Sequence, residues 1–123
     1  MSTVLVIEDE MNIRLFVAAN LEARDYTVLE AETGMEGLAM LRAAAPDVLI
    51  LDMALPDMTG VDVLNAMAQD DALRAIPTIV MTASASLGVV RPFPNVVVRL
   101  RKPASVTTLM DAVKRAVGMS DEE

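Results

Sequence analysis

The amino-acid sequence predicts one α/β domain built on a five-stranded parallel sheet with helices on both faces. The central observation is residues 48–51, four consecutive large apolar residues that run into the carboxylate of Asp52. An uninterrupted apolar run is typical of a strand that is buried on both faces, as in the middle of a parallel sheet. Around it, strand-like apolar segments alternate with segments of helical apolar spacing. Because this alternation implies right-handed crossovers, it predicts a doubly wound sheet.

The chain begins with a strand and a helix. Residues 3–7 form a β-branched apolar run, which predicts the first strand. A first helix that extends to about residue 25 is predicted by apolar residues at helical spacing, namely Ile13, Phe16, Val17 and Leu21.

A second strand and helix follow. Residues 27–31 predict a short strand, and the charged Glu30 within it indicates a sheet edge. Thr33 followed by Glu36 has the pattern of a capping box, which predicts a helix through residue 45 that Pro46 stops.

The second half of the chain repeats the alternation. A third helix is predicted over residues 59–69, a fourth strand over 76–82 and a fifth strand over 96–100. The last helix is predicted by apolar spacing and is expected to end at Gly118 and the acidic tail; its apolar stripe is Val106, Leu109, Val113 and Val117.

The segment between the fourth and fifth strands fits the alternation least well. Gly88, Pro92 and Pro94 leave room for at most a short, irregular fourth helix over residues 85–90.

Length and composition exclude several classes of protein. The 123 residues, 54% of them hydrophobic, suit a single domain with a core over residues 3–118 and a short acidic tail. Cysteine and histidine are absent, which excludes disulfides, thiolate metal sites and histidine-dependent triads. A net charge of −8 argues against direct binding of nucleic acid. With no apolar run of about 20 residues and no signal peptide, we expect a cytoplasmic protein that does not contact the membrane.

Polar residues stand at the carboxyl ends of the predicted strands. Glu8 and Asp9 follow the first strand, Asp52 ends the third, Thr82 ends the fourth and Lys102 follows the fifth. In the strand order 2-1-3-4-5, the first and third strands are neighbours, so three carboxylates converge at the switch point where ligands bind in such sheets. Taken alone, Asp52 could equally be a simple turn or capping residue.

A group of three carboxylates favours a bound cation. Two unit charges about 4 Å apart repel by about 4 kcal/mol near a protein surface, and oxygen ligands with open water positions suit Mg²⁺. The Thr82 hydroxyl and the Lys102 ammonium then complete a site for a phosphoryl group on an oxygen nucleophile.

These motifs together resemble the receiver domain of two-component response regulators, a flavodoxin-like fold. The resemblance covers essentially the whole chain and is carried by residues 6–10, the segment from Asp52 to Gly60, residues 81–83 and the Lys102-Pro103 pair. It is the order and spacing of all four motifs that is specific, since each alone is weak.

The resemblance implies a role for each site residue. Asp52 would accept a phosphoryl group from a histidine kinase or a histidine phosphotransfer protein. Mg²⁺ would be bound by Asp9, by Asp52 and by the main-chain carbonyl of Ala54, while Glu8 would hold a metal-bound water. Thr82 would donate a hydrogen bond to the phosphoryl group and Lys102 would pair with it, before a Lys102-Pro103 bond that is cis in the family.

The implied function is a phosphorylated signalling domain in a two-component or phosphorelay pathway rather than an enzyme. Its only chemistry would be phosphoryl transfer to itself and autodephosphorylation, and it would signal through protein contacts. Because the chain ends soon after the last helix, we expect either a stand-alone receiver or one excised from a larger protein.

One departure from the family's pattern keeps an alternative open. The family usually has Tyr or Phe three residues before the lysine, and here that residue is Arg99. Phe93 could replace the missing ring, although packing in a loop is the expected role. The alternative function is therefore a pseudo-receiver, an interaction module that works without phosphorylation.

Two other classes are disfavoured by single positions. A haloacid-dehalogenase-type phosphatase needs a second Asp where Ala54 stands, and a flavodoxin-like electron carrier needs a phosphate-binding first loop, which Glu8 and Asp9 would repel.

Basic residues concentrate in the last third of the chain. They either protect the edge of the sheet or dock an acidic protein partner. The residues are Arg91, Arg99, Arg101, Lys102, Lys114 and Arg115.

Overall fold

A computed structural model describes residues 2–83 and 93–121 of the chain, and these contain five strands and four helices. The short helix predicted over 85–90, together with Gly88, Arg91 and Pro92, lies outside the described residues. The elements are β1 (Thr3–Ile7), α1 (Met11–Glu22), β2 (Thr27–Ala31), α2 (Gly34–Ala44), β3 (Val48–Asp52), α3 (Gly60–Ala68), β4 (Thr78–Thr82), β5 (Val96–Arg101) and α4 (Val106–Asp121).

The strands form one parallel sheet in the order β2-β1-β3-β4-β5, which confirms the predicted fold class. All five residues of β3 are buried, as expected for the central strand. β2 and β5 are the two edge strands, and the exposed side chains of Glu30 and Arg99 lie on them. The edge position indicated by Glu30 is therefore confirmed.

The core has two layers, one on each face of the sheet. On one face, α1 and α4 pack against alternate strand residues, of which Val6 and Ile50 are examples. On the other face, α2 and α3 pack against the residues in between, such as Leu5 and Leu49. The continuous apolar runs of the sequence are thus explained, because both faces of the inner strands are covered.

Helix α1 differs from its prediction in two respects. It ends at Glu22 rather than near Asp25, which instead has a φ of 68° in the turn before β2. Phe16 is 53% exposed and does not belong to the core stripe. The buried positions of α1 are Arg14, Val17, Ala18 and Leu21, so Phe16 lies to one side of that stripe.

Other boundaries shift for local reasons. α2 ends at Ala44 because Ala45 is left-handed, with a φ of 44°. β4 starts at Thr78 rather than at 76, since Pro77 has no N–H to donate to the sheet. α4 continues past Gly118 to Asp121, so the prediction that Gly118 ends the helix was wrong. No described glycine has a positive φ, and Gly118 therefore lacks the left-handed conformation that ends many helices.

The predicted capping box of α2 is half formed. Thr33 Oγ1 accepts a hydrogen bond from the amide of Glu36 at 3.1 Å, but the Glu36 carboxylate accepts from the amide of Glu32 and not from that of Thr33. A complete capping box begins α3, where Thr59 and Asp62 cap each other.

Gly37 of α2 lies directly against Ile7 of β1, and replacing it should destabilise the fold. A Cβ at this position would come within 2.7 Å of Cγ1 of Ile7, which is fully buried and cannot move aside. We expect Gly37→Ala to lower the free energy of unfolding by about 1–3 kcal/mol, as for overpacked cores, despite the better helix propensity of alanine.

Gly118→Ala in α4 is the matched control, because nothing lies within 4 Å of the position that its new methyl group would occupy. This variant should be stabilised by up to about 1 kcal/mol through helix propensity alone. Urea unfolding of both variants checks the pair, and an equal effect at the two glycines would contradict the packing argument.

Candidate functional site

The site lies at the carboxyl ends of the strands. Asp52 is the last residue of β3, Glu8 and Asp9 follow β1, and these two strands are neighbours in the sheet. One oxygen from each of the three carboxylates lies within 4.8 Å of the others. The structure thus brings together the three acids that the sequence placed at separate strand ends.

Thr82 and Lys102 reach the same edge from the other half of the sheet. Thr82 ends β4 and is buried, and its main-chain carbonyl accepts a hydrogen bond from the amide of Lys102 at 2.8 Å. Lys102 immediately follows β5 and precedes a cis peptide bond to Pro103. Five of the six predicted site residues therefore surround one small region, and Ala54 lies in the loop that leaves it.

Lys102 forms ion pairs with the two buried acids of the group. Its Nζ lies 2.6 Å from Glu8 Oε1 and 3.3 Å from Asp52 Oδ2. Burial alone would lower the pKa of Lys102, but the hydrogen bond to Glu8 and the charges of Asp52 and Glu8 outweigh it and raise the pKa above 10.5. Lys102 is consequently a cation at neutral pH.

Glu8 is held in place through both of its carboxylate oxygens. Oε1 pairs with Lys102, and Oε2 accepts a hydrogen bond from the amide of Glu10 at 3.1 Å. Burial raises the pKa of Glu8, and these two hydrogen bonds oppose the rise. Asp9, by contrast, is exposed, so the group is open to solvent on its side.

The donor set fits a hard divalent cation. Three carboxylates offer only oxygen ligands, and the exposed Asp9 leaves room for water molecules, as Mg²⁺ requires. Asp52 Oδ1 also accepts a hydrogen bond from the amide of Ala54 at 3.2 Å, which ties the nearby loop to the acid.

Arg14 is a site-supporting residue that sequence reasoning missed. It is buried on α1, where Nη1 donates to the carbonyl of Glu8 at 3.0 Å, while Nε and Nη2 pair with Glu30 and Glu32. Arg14 thus ties the loop after β1 to the end of β2. A signal was present, because Arg14 stands three and seven residues before Val17 and Leu21, at a core position of the helix.

Asp57 was also missed. It lies in the loop between β3 and α3, and its carboxylate accepts hydrogen bonds from the amides of Gly34 at 2.8 Å and Met35 at 2.9 Å. These two amides lower the pKa of Asp57. No sequence signal pointed to this contact, since an Asp between Pro56 and Met58 is typical of an ordinary turn.

Two residues bear on the aromatic side chain that the family usually has three residues before the lysine and that this sequence lacks. Arg99 is exposed on β5, and Phe93 is half-buried against the apolar core on the α2 and α3 face. This is the packing role that was expected for Phe93. Among the other predicted basic residues that the structure describes, Arg101, Lys114 and Arg115 are exposed.

An apolar depression of about 610 Å³ adjoins the site between α1 and the start of α4. Lys102 and Pro103 line it together with Ile13, Phe16 and Leu109. The exposure of Phe16 is explained by this position, because its side chain forms one wall of the depression.

A further finding is that no helix in the described part of the chain is long and apolar enough to cross a membrane.

Fold and site together define the class of this protein: a flavodoxin-like receiver domain with an acidic group at the carboxyl edge of its sheet. Accordingly, the chain belongs to the response regulator receiver domain family, whose family model matches residues 4–114.

Individual relatives agree with this assignment. The polar-differentiation response regulator DivK of Brucella anthropi is 32% identical over 119 residues, which are 94% of this chain and 96% of the relative. Chemotaxis protein CheY4 of Vibrio cholerae has 29% identity and a TM-score of 0.83 over 94% of this chain and 98% of its own. A CheY-like receiver domain protein from Methanospirillum hungatei JF-1 has a TM-score of 0.90 at 24% identity, over 99% and 98% of the two chains, which shows the shared fold.

Proposed function

We propose that this chain is a phosphoacceptor in a two-component or phosphorelay pathway, with Asp52 as the residue that becomes phosphorylated. The observation that carries the proposal is the placement of Asp52, which is buried at the tip of the central strand, grouped with Glu8 and Asp9 and paired with Lys102. A histidine kinase or a histidine phosphotransfer protein would be the donor. Membership of the response regulator receiver family supports a protein as the donor.

The proposed transfer forms one bond and breaks one. A carboxylate oxygen of Asp52 attacks the phosphorus of the donor's phosphohistidine, the phosphorus–nitrogen bond breaks, and its electron pair stays on the imidazole. The Lys102 ammonium would then pair with the phosphoryl oxygens, and the Thr82 hydroxyl would donate a hydrogen bond to one of them. Attack of water on the same phosphorus would release inorganic phosphate and regenerate Asp52, so the domain acts only on itself.

Mg²⁺ would be held by Asp9, Asp52 and the carbonyl of Ala54, with Glu8 contributing through water. The contacts of Glu8 support this division, since both of its oxygens are already engaged by Lys102 and by the amide of Glu10. A cation bound here would neutralise negative charge on the acids and on the incoming phosphoryl group.

Incubation with acetyl phosphate and Mg²⁺, followed by intact-mass measurement, tests the proposal. We expect a single phosphoryl adduct that does not form when EDTA removes the metal. NMR spectra of the same samples should show shifts that spread from the site toward Arg99 and Phe93. A protein that binds Mg²⁺ but forms no adduct with any phosphodonor would overturn the proposal.

The second candidate is the pseudo-receiver, and the exposed Arg99 favours it. In that case the domain would bind its partner equally well with or without acetyl phosphate.

Under either function we propose that the exposed basic residues Arg99, Arg101, Lys114 and Arg115 face an acidic downstream protein. The cytoplasmic location stays a prediction.

A further inference from the structure

The loop between β3 and α3 carries Ala54 and is closed at its base by main-chain contacts. The amide of Gly60 donates to the carbonyl of Met53 at 2.9 Å, and Ala54 pairs with Thr59 in an isolated antiparallel bridge. Residues 55–58 project beyond this bridge. Their position therefore depends on what the loop tip contacts.

The loop tip contacts the first turn of α2. The carboxylate of Asp57 accepts one hydrogen bond from Gly34 N and one from Met35 N, at 2.8 and 2.9 Å. Beside it, Met58 lies so close to the backbone of Gly34 that a Cβ there would come within 2.5 Å of the Met58 Sδ. The tip is thus held by a hydrogen-bonded carboxylate and by a side chain packed on bare backbone.

These contacts complete the cap of α2. The first amides of a helix have no partners within the helix, and a negative charge at this end is stabilised by the helix dipole. Thr33 satisfies the amide of Glu36, and Asp57 satisfies those of Gly34 and Met35. The two amides favour the ionised carboxylate, in agreement with the lowered pKa of Asp57.

We propose that Asp57 is a positioning residue for the metal site: by fastening the loop tip to α2, it holds the backbone of Ala54 in place for Mg²⁺. Asp57 is not itself part of the acidic group, which consists of Glu8, Asp9 and Asp52. It acts through the bridge between Ala54 and Thr59, which joins the tip to the base of the loop. This inference rests on the proposed function, because it takes the Ala54 carbonyl as a metal ligand.

The test compares Asp57→Ala, Asp57→Asn and the control Asp71→Ala in the whole chain. Asp71 is an exposed carboxylate that pairs with the exposed Arg74, on the segment that leads into the amino end of β4. The measurements are the Mg²⁺ dissociation constant from NMR titration, hydrogen exchange at the amides of Gly34 and Met35 without metal, and the Mg²⁺ dependence of phosphorylation by acetyl phosphate.

We expect Asp57→Ala to weaken Mg²⁺ binding about tenfold, a typical loss when a residue that orients a metal ligand is removed. Exchange at Gly34 and Met35 should accelerate. The Mg²⁺ concentration for half-maximal phosphorylation should rise in parallel, while the rate at saturating Mg²⁺ stays within about twofold, as for a pure binding effect. Asp71→Ala should match the wild type in all three measurements.

Asp57→Asn separates positioning from simple charge. Its amide oxygen can still accept a hydrogen bond from α2, so a positioning role predicts an affinity between those of the wild type and Asp57→Ala. Should Asp57→Ala not fold, Asp57→Asn decides alone: weaker Mg²⁺ binding with faster exchange at Gly34 and Met35 supports the inference, and unchanged binding overturns it.

Equal losses in Asp57→Ala and Asp57→Asn would overturn the inference in favour of long-range charge. If the wild type binds Mg²⁺ and Asp57→Ala binds it with the same affinity, the inference is overturned but the proposed function is not. A wild-type protein that binds no Mg²⁺ would instead overturn the proposed function, and the inference with it.

Discussion

Asp52→Asn is expected to abolish phosphorylation by acetyl phosphate. The asparagine keeps the size and position of the side chain, but its neutral amide oxygen is a poor nucleophile. The rate should fall at least about a thousandfold, as when an enzyme loses its nucleophile, so that no adduct is detected by intact mass. Persistent stoichiometric, Mg²⁺-dependent labelling of the variant would show that Asp52 is not the acceptor.

The folded state of Asp52→Asn should remain intact. Three carboxylates share the site with one lysine, and Lys102, which lies 2.6 Å from Glu8, should keep that partner in the variant. Removing one negative charge relieves repulsion, so the free energy of unfolding without metal should not decrease. Asp71→Asn, which removes a charge from an exposed surface pair, is the matched control and should be labelled like the wild type.

Lys102→Met is expected to slow phosphorylation about a hundredfold at saturating Mg²⁺, the usual cost of removing one group that stabilises developing negative charge. Methionine retains the apolar stem of the lysine and removes only the ammonium that faces Asp52 and Glu8. Mg²⁺ affinity should be maintained or increased, since the metal no longer competes with a bound cation. The measurement is the initial rate of adduct formation over a range of Mg²⁺ concentrations.

Loss of the lysine should also affect stability. Without metal, two buried carboxylates would lack their counterion, which lowers the free energy of unfolding by about 3 kcal/mol at neutral pH. Mg²⁺ should restore much of this loss. Because the pKa of Lys102 is raised in the folded protein, its stabilisation of the wild type is complete below pH 10.5 and is lost as the pH rises through the folded-state pKa.

Lys114→Met is the control for this prediction, because Lys114 is exposed on α4, whereas the lysine that pairs with Glu8 and Asp52 is Lys102. Its phosphorylation rate and its stability should match those of the wild type. An unchanged rate in Lys102→Met would contradict the assigned role of Lys102 and would favour a purely structural ion pair.

The sequence by itself determined the fold class and the meeting of the site residues. Runs such as residues 48–51 are apolar at every position, and a strand of this kind is stable only with helices on both faces. Once the strands are parallel and ordered 2-1-3-4-5, their carboxyl ends share one edge. The proximity of Glu8, Asp9 and Asp52 followed from that topology without any knowledge of distances.

Tertiary structure decided what depends on contacts between distant segments. Asp57 caps a helix whose first residues lie 22 and 23 positions earlier, and Lys102 forms its shorter ion pair with Glu8 only after β1 and β5 are placed in the same sheet. Phe16 is exposed and Gly118 stays helical although their sequence patterns predict otherwise. Phe16 is exposed because the α1 positions that face the sheet are Arg14, Val17, Ala18 and Leu21. Gly118 stays helical because a glycine costs a helix only about 1 kcal/mol and this one does not adopt the left-handed conformation that would end it.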